Sequence, residues 1–309
     1  MSATVLLHYK IMLDFLNLIT AISWDASPEI LQWKFINLRW YGLLFALGFV
    51  VGYFIFSKIY KIESKPQEDL ETLLTYMVIA TVVGSRLGHC LFYDPVYYLS
   101  NPLEILYIWK GGLASHGGTI GLLVALFLYS RKHPDQPYLW LLDRIVIPIA
   151  LAGAFIRLGN LMNSEIYGGV TDLPWGFIFL QNGETLAKHP TQLYEAGSYI
   201  LLFIYLMVSY LQTKRYTPRG RIFGQFLMFL FGARFFIEFV KNVQEAWEID
   251  MVATYGINMG QLLSIPFVVV GTYFFIRSFS ENAKKEAVDF AEKSSNNVFG
   301  KVDVKGKKI

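Results

Sequence analysis

One cysteine among 309 residues, Cys90, excludes an intrachain disulfide. The five histidines follow no HExxH or Cys/His spacing, so the ligand sets of metal sites are missing too. Charge is scarce: only 17% of residues are Asp, Glu, Lys or Arg, against about 25% in ordinary soluble domains. The net charge of +3 is too small to point to nucleic acid. That shortfall excludes a soluble globular enzyme, and 54% hydrophobic content excludes a disordered chain.

What is present is a series of long apolar runs. A membrane-crossing helix needs about 20 mostly apolar residues. Seven runs qualify, at roughly 39–57, 70–89, 113–130, 139–158, 192–211, 222–240 and 258–277. The expected fold class is therefore all-α, a polytopic integral membrane protein of about seven transmembrane helices. Lys58, Lys61, Lys65, Arg131, Lys132, Lys214, Arg215, Arg219, Arg221, Arg277 and seven tail lysines fall on one side. Only Lys10, Lys34, Arg39, Lys110, Lys188 and Lys241 fall on the other. Because positive loops stay in the cytoplasm, the N-terminus is expected outside and the C-terminus inside.

Three parts are expected. Residues 1–37 read as an interfacial segment with an amphipathic helix over Ile11–Ile22. Residues 38–280 read as one transmembrane catalytic domain. Residues 281–309, rich in Lys, Glu and Asn, read as a solvated and disordered cytoplasmic tail.

Charged groups inside spans are expensive and mark function by default. Arg144, beside Asp143, suits a structural role near a span end, while Arg86 is divided between structure and function. Arg157 opens RLGNLMNSEIYGG, which carries Asn160, Asn163, Glu165 and Gly168 out of the bilayer. Arg234 and Glu238 are four apart on one helix face. A self-neutralising ion pair explains them if taken alone. Two arginines converging on the outer leaflet from separate spans also suit a phosphate, which the guanidinium fork holds bidentately. His116 opens HGGTIG, and His189 opens HPTQLYE, where Pro190 suits a first helical turn. Helix packing accounts for most of these residues singly. Together, His116, Arg157, Asn160, Glu165, His189, Arg234 and Glu238 gather toward the outer face. An anion transporter, a scaffold and a phospholipid hydrolase remain open on this ground.

The blocks RWYGLLFALGF, GSRLGHCLFY, WKGGLASHGGTIG, RLGNLMNSEIYG, HPTQLYE, RFFIEF and MGQLLSIP, in that order, resemble the prolipoprotein diacylglyceryl transferase family. The resemblance implies a seven-span enzyme of the bacterial inner membrane. Such an enzyme moves the diacylglyceryl group of phosphatidylglycerol to the lipobox cysteine of a preprolipoprotein signal peptide and releases glycerol 1-phosphate. It implies no cofactor and no metal; the partners are phosphatidylglycerol, the lipobox peptide and membrane lipids. The implied catalytic residues are His116, Arg157, Arg234 and Glu238. The implied phosphatidylglycerol contacts are Arg157, Asn160, Glu165, Gly168, Tyr41 and Arg86. Gly112 and Gly117 match glycines of the central block. The chain departs from the family pattern at Leu230, where tyrosine is common, and at His89, where an aromatic is commoner.

Overall fold

The computed structural model describes residues 21–33, 36–243 and 246–306. Among the described residues, six helices are long and apolar enough to cross a membrane. They are α1 (Trp40–Ile62), α2 (Gln67–Phe92), α5 (Tyr138–Met162), α6 (Thr191–Thr213), α7 (Arg221–Ile237) and α9 (Met259–Arg277). Between them lie α3 (Pro95–Ser100), α4 (Ser115–Lys132) and α8 (Ala246–Tyr255). The third expected span is thus helical as α4. Its apolar stretch is diluted by the Ser115–Gly118 opening and by Arg131 and Lys132, which keeps it out of the six. The chain is a multi-pass membrane protein.

The expected helix over Ile11–Ile22 lies outside the described residues up to residue 20. Ile22 already belongs to β1 (Ile22–Trp24), which pairs in parallel with β4 (Phe177–Phe179). Strands β2 (Glu29–Trp33) and β3 (Ile36–Arg39) form an antiparallel hairpin ahead of α1. Trp24 anchors β1 by packing its ring at a tilt against Phe177 at 5.3 Å and donating its indole N–H to Leu161 O at 3.1 Å.

Two compact units divide the chain. One runs to Gly52 and resumes over Val146–Gln212 and Phe223–Arg277; the other holds Tyr53–Ile145, Thr213–Ile222 and the residues from Ser278 on. In the second unit α2 and α4 meet backbone to backbone. A Cβ on Gly117 would lie 2.3 Å from Gly84 O and 2.7 Å from Gly88 Cα. Absent side chains let membrane helices gain dispersion where the hydrophobic effect between them is gone.

The same unit has a charged core. Arg144 is fully buried, with its Nε 2.9 Å from Glu63 Oε1, and Trp140 donates to Glu63 Oε2 at 2.9 Å. Asp143 accepts the Gly220 amide at 2.7 Å. Arg144 therefore serves packing, the structural role expected for it, from within the unit.

The tail corrects an expectation. Residues expected to be disordered form α10 (Glu281–Gly306). Ala283, Ala287 and Ala291, spaced by four, are buried as one stripe. Phe290 lies beneath Arg219, whose Cζ is 4.6 Å from the ring, and Lys65 Nζ lies 5.5 Å away. Alanine gives a narrow anchoring face that a count of charged residues overlooks. Ala287→Glu would bury a carboxylate in that stripe. The expected result is detachment of the helix, seen as faster proteolytic cleavage within 281–293 while the transmembrane part stays intact.

Candidate functional site

The site is built where α5 ends. Arg157 and Asn160 share one face of its last turns, three residues apart, and Arg157 Nη1 donates to Asn160 Oδ1 at 3.2 Å. Asn160 Nδ2 in turn donates to Glu165 Oε1 at 2.7 Å, as does Asn163 at 3.2 Å. To bring Glu165 back toward the helix the chain turns sharply, with Ser164 at φ 53° and Ile166 at φ 61°. Positive φ is costly for a β-branched residue, so the turn must be held from outside. Thr191 Oγ1 donates to Ile166 O at 2.9 Å and Gln192 Nε2 to Glu165 O at 2.7 Å, both from the start of α6.

Gly168 follows with no room for a side chain. A Cβ there would meet Val240 O at 2.3 Å and His189 Cβ at 2.7 Å. The close approach lets Gly168 bridge the Lys241 backbone and donate to His189 O at 2.8 Å. His189 lies outside the spans, and burial holds its imidazole below the usual pKa. Its Nδ1 sits 3.2 Å from the Tyr194 hydroxyl. These contacts match a structural role at the start of α6.

The charges form a chain. Arg157 Nε meets Glu195 Oε2 at 3.0 Å, and Lys241 Nζ meets Glu195 Oε1 at 3.3 Å. Lys241 also reaches Glu238 Oε1 at 3.3 Å, and Arg234 Nε reaches the same oxygen at 3.4 Å. Asn258 Nδ2 donates to Glu238 Oε2 at 3.2 Å. Asn258 and Gln261 cap the start of α9 reciprocally: the Asn258 amide donates to Gln261 Oε1 at 3.0 Å, and the Gln261 amide to Asn258 Oδ1 at 2.8 Å. Tyr199 stands within electrostatic reach of both Arg157 and Arg234, and Tyr41 of both Arg157 and Glu165. Tyr41 also packs on Gly159, where a Cβ would lie 2.9 Å from its ring.

One unit thus brings together Tyr41, Arg157, Asn160, Glu165, Gly168, Arg234 and Glu238. His116 and Arg86 belong to the other. His116 is exposed, stacked on Tyr93 at 5.8 Å and edge-on to Phe92 at 5.3 Å.

Arg86 is not arranged as a headgroup contact. Its side chain is buried and spends all three nitrogens on backbone carbonyls. Nε donates to Ile105 O at 2.9 Å, Nη1 to Gly111 O at 2.7 Å and Gly112 O at 3.2 Å, and Nη2 to Glu104 O at 2.5 Å. Tyr98 covers it at 5.0 Å. Gly112, at φ 71°, must be a glycine, since a Cβ would stand 2.6 Å from His89 and 2.8 Å from Arg86 Nη1. Arg86 is the clamp of the 104–112 loop.

Sequence reading missed Glu195, Lys241 and Asn258. Lys241 lies three residues after Glu238, a spacing that already signals a pair. Glu195 and Asn258 act across helices, and no local spacing announces them.

Apolar helices combined with a buried run of alternating charges define a membrane-embedded protein with an ion-paired network in its interior. The model of the family described as Prolipoprotein diacylglyceryl transferase matches residues 28–277. The phosphatidylglycerol–prolipoprotein diacylglyceryl transferase of Tolumonas auensis is 49% identical over 263 residues, covering 85% of this chain and all of that protein. Those of Chloroherpeton thalassium and Porphyromonas gingivalis are 45% and 46% identical, covering 84% and 83% of this chain and 95% and 94% of their own lengths. The chain belongs to the prolipoprotein diacylglyceryl transferase family and is a transferase.

Proposed function

We propose that this protein transfers the diacylglyceryl group of phosphatidylglycerol to the cysteine thiol of a preprolipoprotein lipobox, the first step of lipoprotein maturation. The sulfur attacks the lipid carbon bearing the phosphate. A C–S thioether forms, the C–O bond to phosphate breaks, and glycerol 1-phosphate leaves with the bonding pair. The setting is the bacterial inner membrane, crossed seven times with α4 as the additional span, N-terminus outside and C-terminus in the cytoplasm.

The observation that carries this reading is the mounting of the two guanidinium groups. Arg157 and Arg234 are each tied through Nε to a buried carboxylate, Glu195 and Glu238. Fixed cations of this kind stabilise charge that grows on a departing phosphate without reorganising during the reaction. Glu238 holds Arg234 in orientation. Asn160 and Glu165 suit the hydroxyls of the headgroup glycerol, with Tyr41 and Gly168 shaping the same region. Arg86 leaves the set of headgroup contacts and is proposed instead to hold the loop that leads to His116.

The thiol reacts as thiolate. Imidazole changes charge between pH 5 and 8, so His116 is the proposed acceptor of the thiol proton. His116→Gln is expected to abolish or displace the rising limb of the pH–rate profile. An unchanged profile removes His116 from that role.

The decisive assay supplies purified protein with phosphatidylglycerol and a lipobox peptide and reads the peptide by mass spectrometry. The expected product carries diacylglyceryl on cysteine and vanishes when that cysteine is serine. Diacylglycerol or phosphatidate released without any adduct would identify a hydrolase instead.

A further inference from the structure

Glu195 is the most deeply buried acidic or basic side chain of the site, with no exposed surface, and Lys241 is nearly as buried at 6%. Neither is one of the arginines that would touch a phosphate. Lys241 bridges the two carboxylates on which those arginines rest, giving the order Arg157, Glu195, Lys241, Glu238, Arg234. The signs alternate along this chain, and three cations face two carboxylates.

We infer that Glu195 and Lys241 are positioning residues that set both the aim of Arg157 and the charge surplus of this ion-paired run. The inference rests on the transfer reading above. Within the ion-paired run the surplus is one positive charge, which matches the single negative charge of a phosphodiester; Glu165, held by the Asn160 and Asn163 amides rather than by a cation, stands outside the run. Burying an unbalanced charge is costly, so the network accepts a monoanion readily and an uncharged or cationic headgroup poorly. Glu195 contributes geometry: it holds Arg157 Nε at 3.0 Å while the same guanidinium bonds Asn160. Lys241 contributes balance: it keeps two carboxylates close together without both arginines being spent on neutralising them.

The two roles separate kinetically. Glu195→Gln leaves every cation in place, so the KM for phosphatidylglycerol should hold or fall. Arg157 loses its anchor, and kcat should drop about 100-fold. Lys241→Met removes the surplus, so KM should rise. Lys241→Arg keeps the charge and should stay within about threefold of wild type. Combining Glu195→Gln with Lys241→Met restores three charges of net +1. Its kcat/KM should exceed the product of the single losses by at least about tenfold, the signature of directly coupled sites. A merely structural role would lower the folded yield of all four variants without this split.

The measurement is steady-state transfer to a lipobox peptide in phosphatidylglycerol micelles, with folded protein counted by size-exclusion chromatography. Should Glu195→Gln not fold, the pair Lys241→Met and Lys241→Arg decides: a raised KM in the first alone supports the inference, and equal KM values overturn it. Multiplicative losses in the double variant also overturn it. Wild-type protein that forms no adduct in the same assay would instead defeat the transfer reading itself.

Discussion

With lysine at position 234, transfer is expected to fall about 100- to 1000-fold in kcat/KM, although the protein still inserts and keeps its net charge. The reason is division of labour within one guanidinium. Arg234 Nε stands in ion-pair contact with Glu238 at 3.4 Å without a hydrogen bond, and no hydrogen bond to a described residue occupies the two terminal nitrogens either. Arginine therefore holds its orienting carboxylate with one edge and offers a planar fork with the other. An ammonium is a point charge on a flexible stem. It sits against Glu238 or against a phosphate, but it presents no second parallel hydrogen bond. Ground-state attraction survives the exchange, so kcat should fall more than KM rises. Kinetics on equal amounts of membrane-inserted protein check this, and a variant turning over at the wild-type rate would refute the bidentate arrangement.

Gly117→Leu is expected to remove the folded protein altogether. The new Cβ would stand 2.3 Å from Gly84 O and 2.7 Å from Gly88 Cα, and both obstacles are backbone. Overpacking typically costs about 1–3 kcal/mol when side chains can move aside. Here α2 and α4 must separate along the whole crossing, so the loss is larger. Gly42→Ala is the control, because a Cβ there meets nothing within 4 Å. Detergent-extracted Gly42→Ala should elute as a single monodisperse peak. Gly117→Leu should yield aggregate or no protein.

The helices were legible because apolar length alone dictates them. The run at 39–57 became Trp40–Ile62, and that at 139–158 became Tyr138–Met162. Half of the charged chain was legible for a related reason. Arg157 with Asn160, and Arg234 with Glu238, share a face by helical spacing. Glu195 was hidden because its partners come from α5 and from the segment after α7, and such pairing is a property of packing. Arg86 stays divided between structure and function in the sequence, and its headgroup contact rests on the family resemblance alone. That backbone carbonyls 18 to 26 residues later would saturate it cannot be seen in composition. The tail was misread: three alanines among lysines and glutamates looked like nothing to bury. The β1–β4 pairing joins residues too far apart for any local pattern to announce.

The Arg86 clamp also bears on how the chain is made. Synthesis runs from the N-terminus, so α2 is complete before the carbonyls of Glu104, Ile105, Gly111 and Gly112 exist. Until they arrive, a guanidinium in that helix keeps its hydration only by drawing the end of α2 toward the headgroups. The end of α2 and the 104–112 loop are therefore expected to order together, since neither the guanidinium nor those carbonyls are satisfied in an apolar layer without the other.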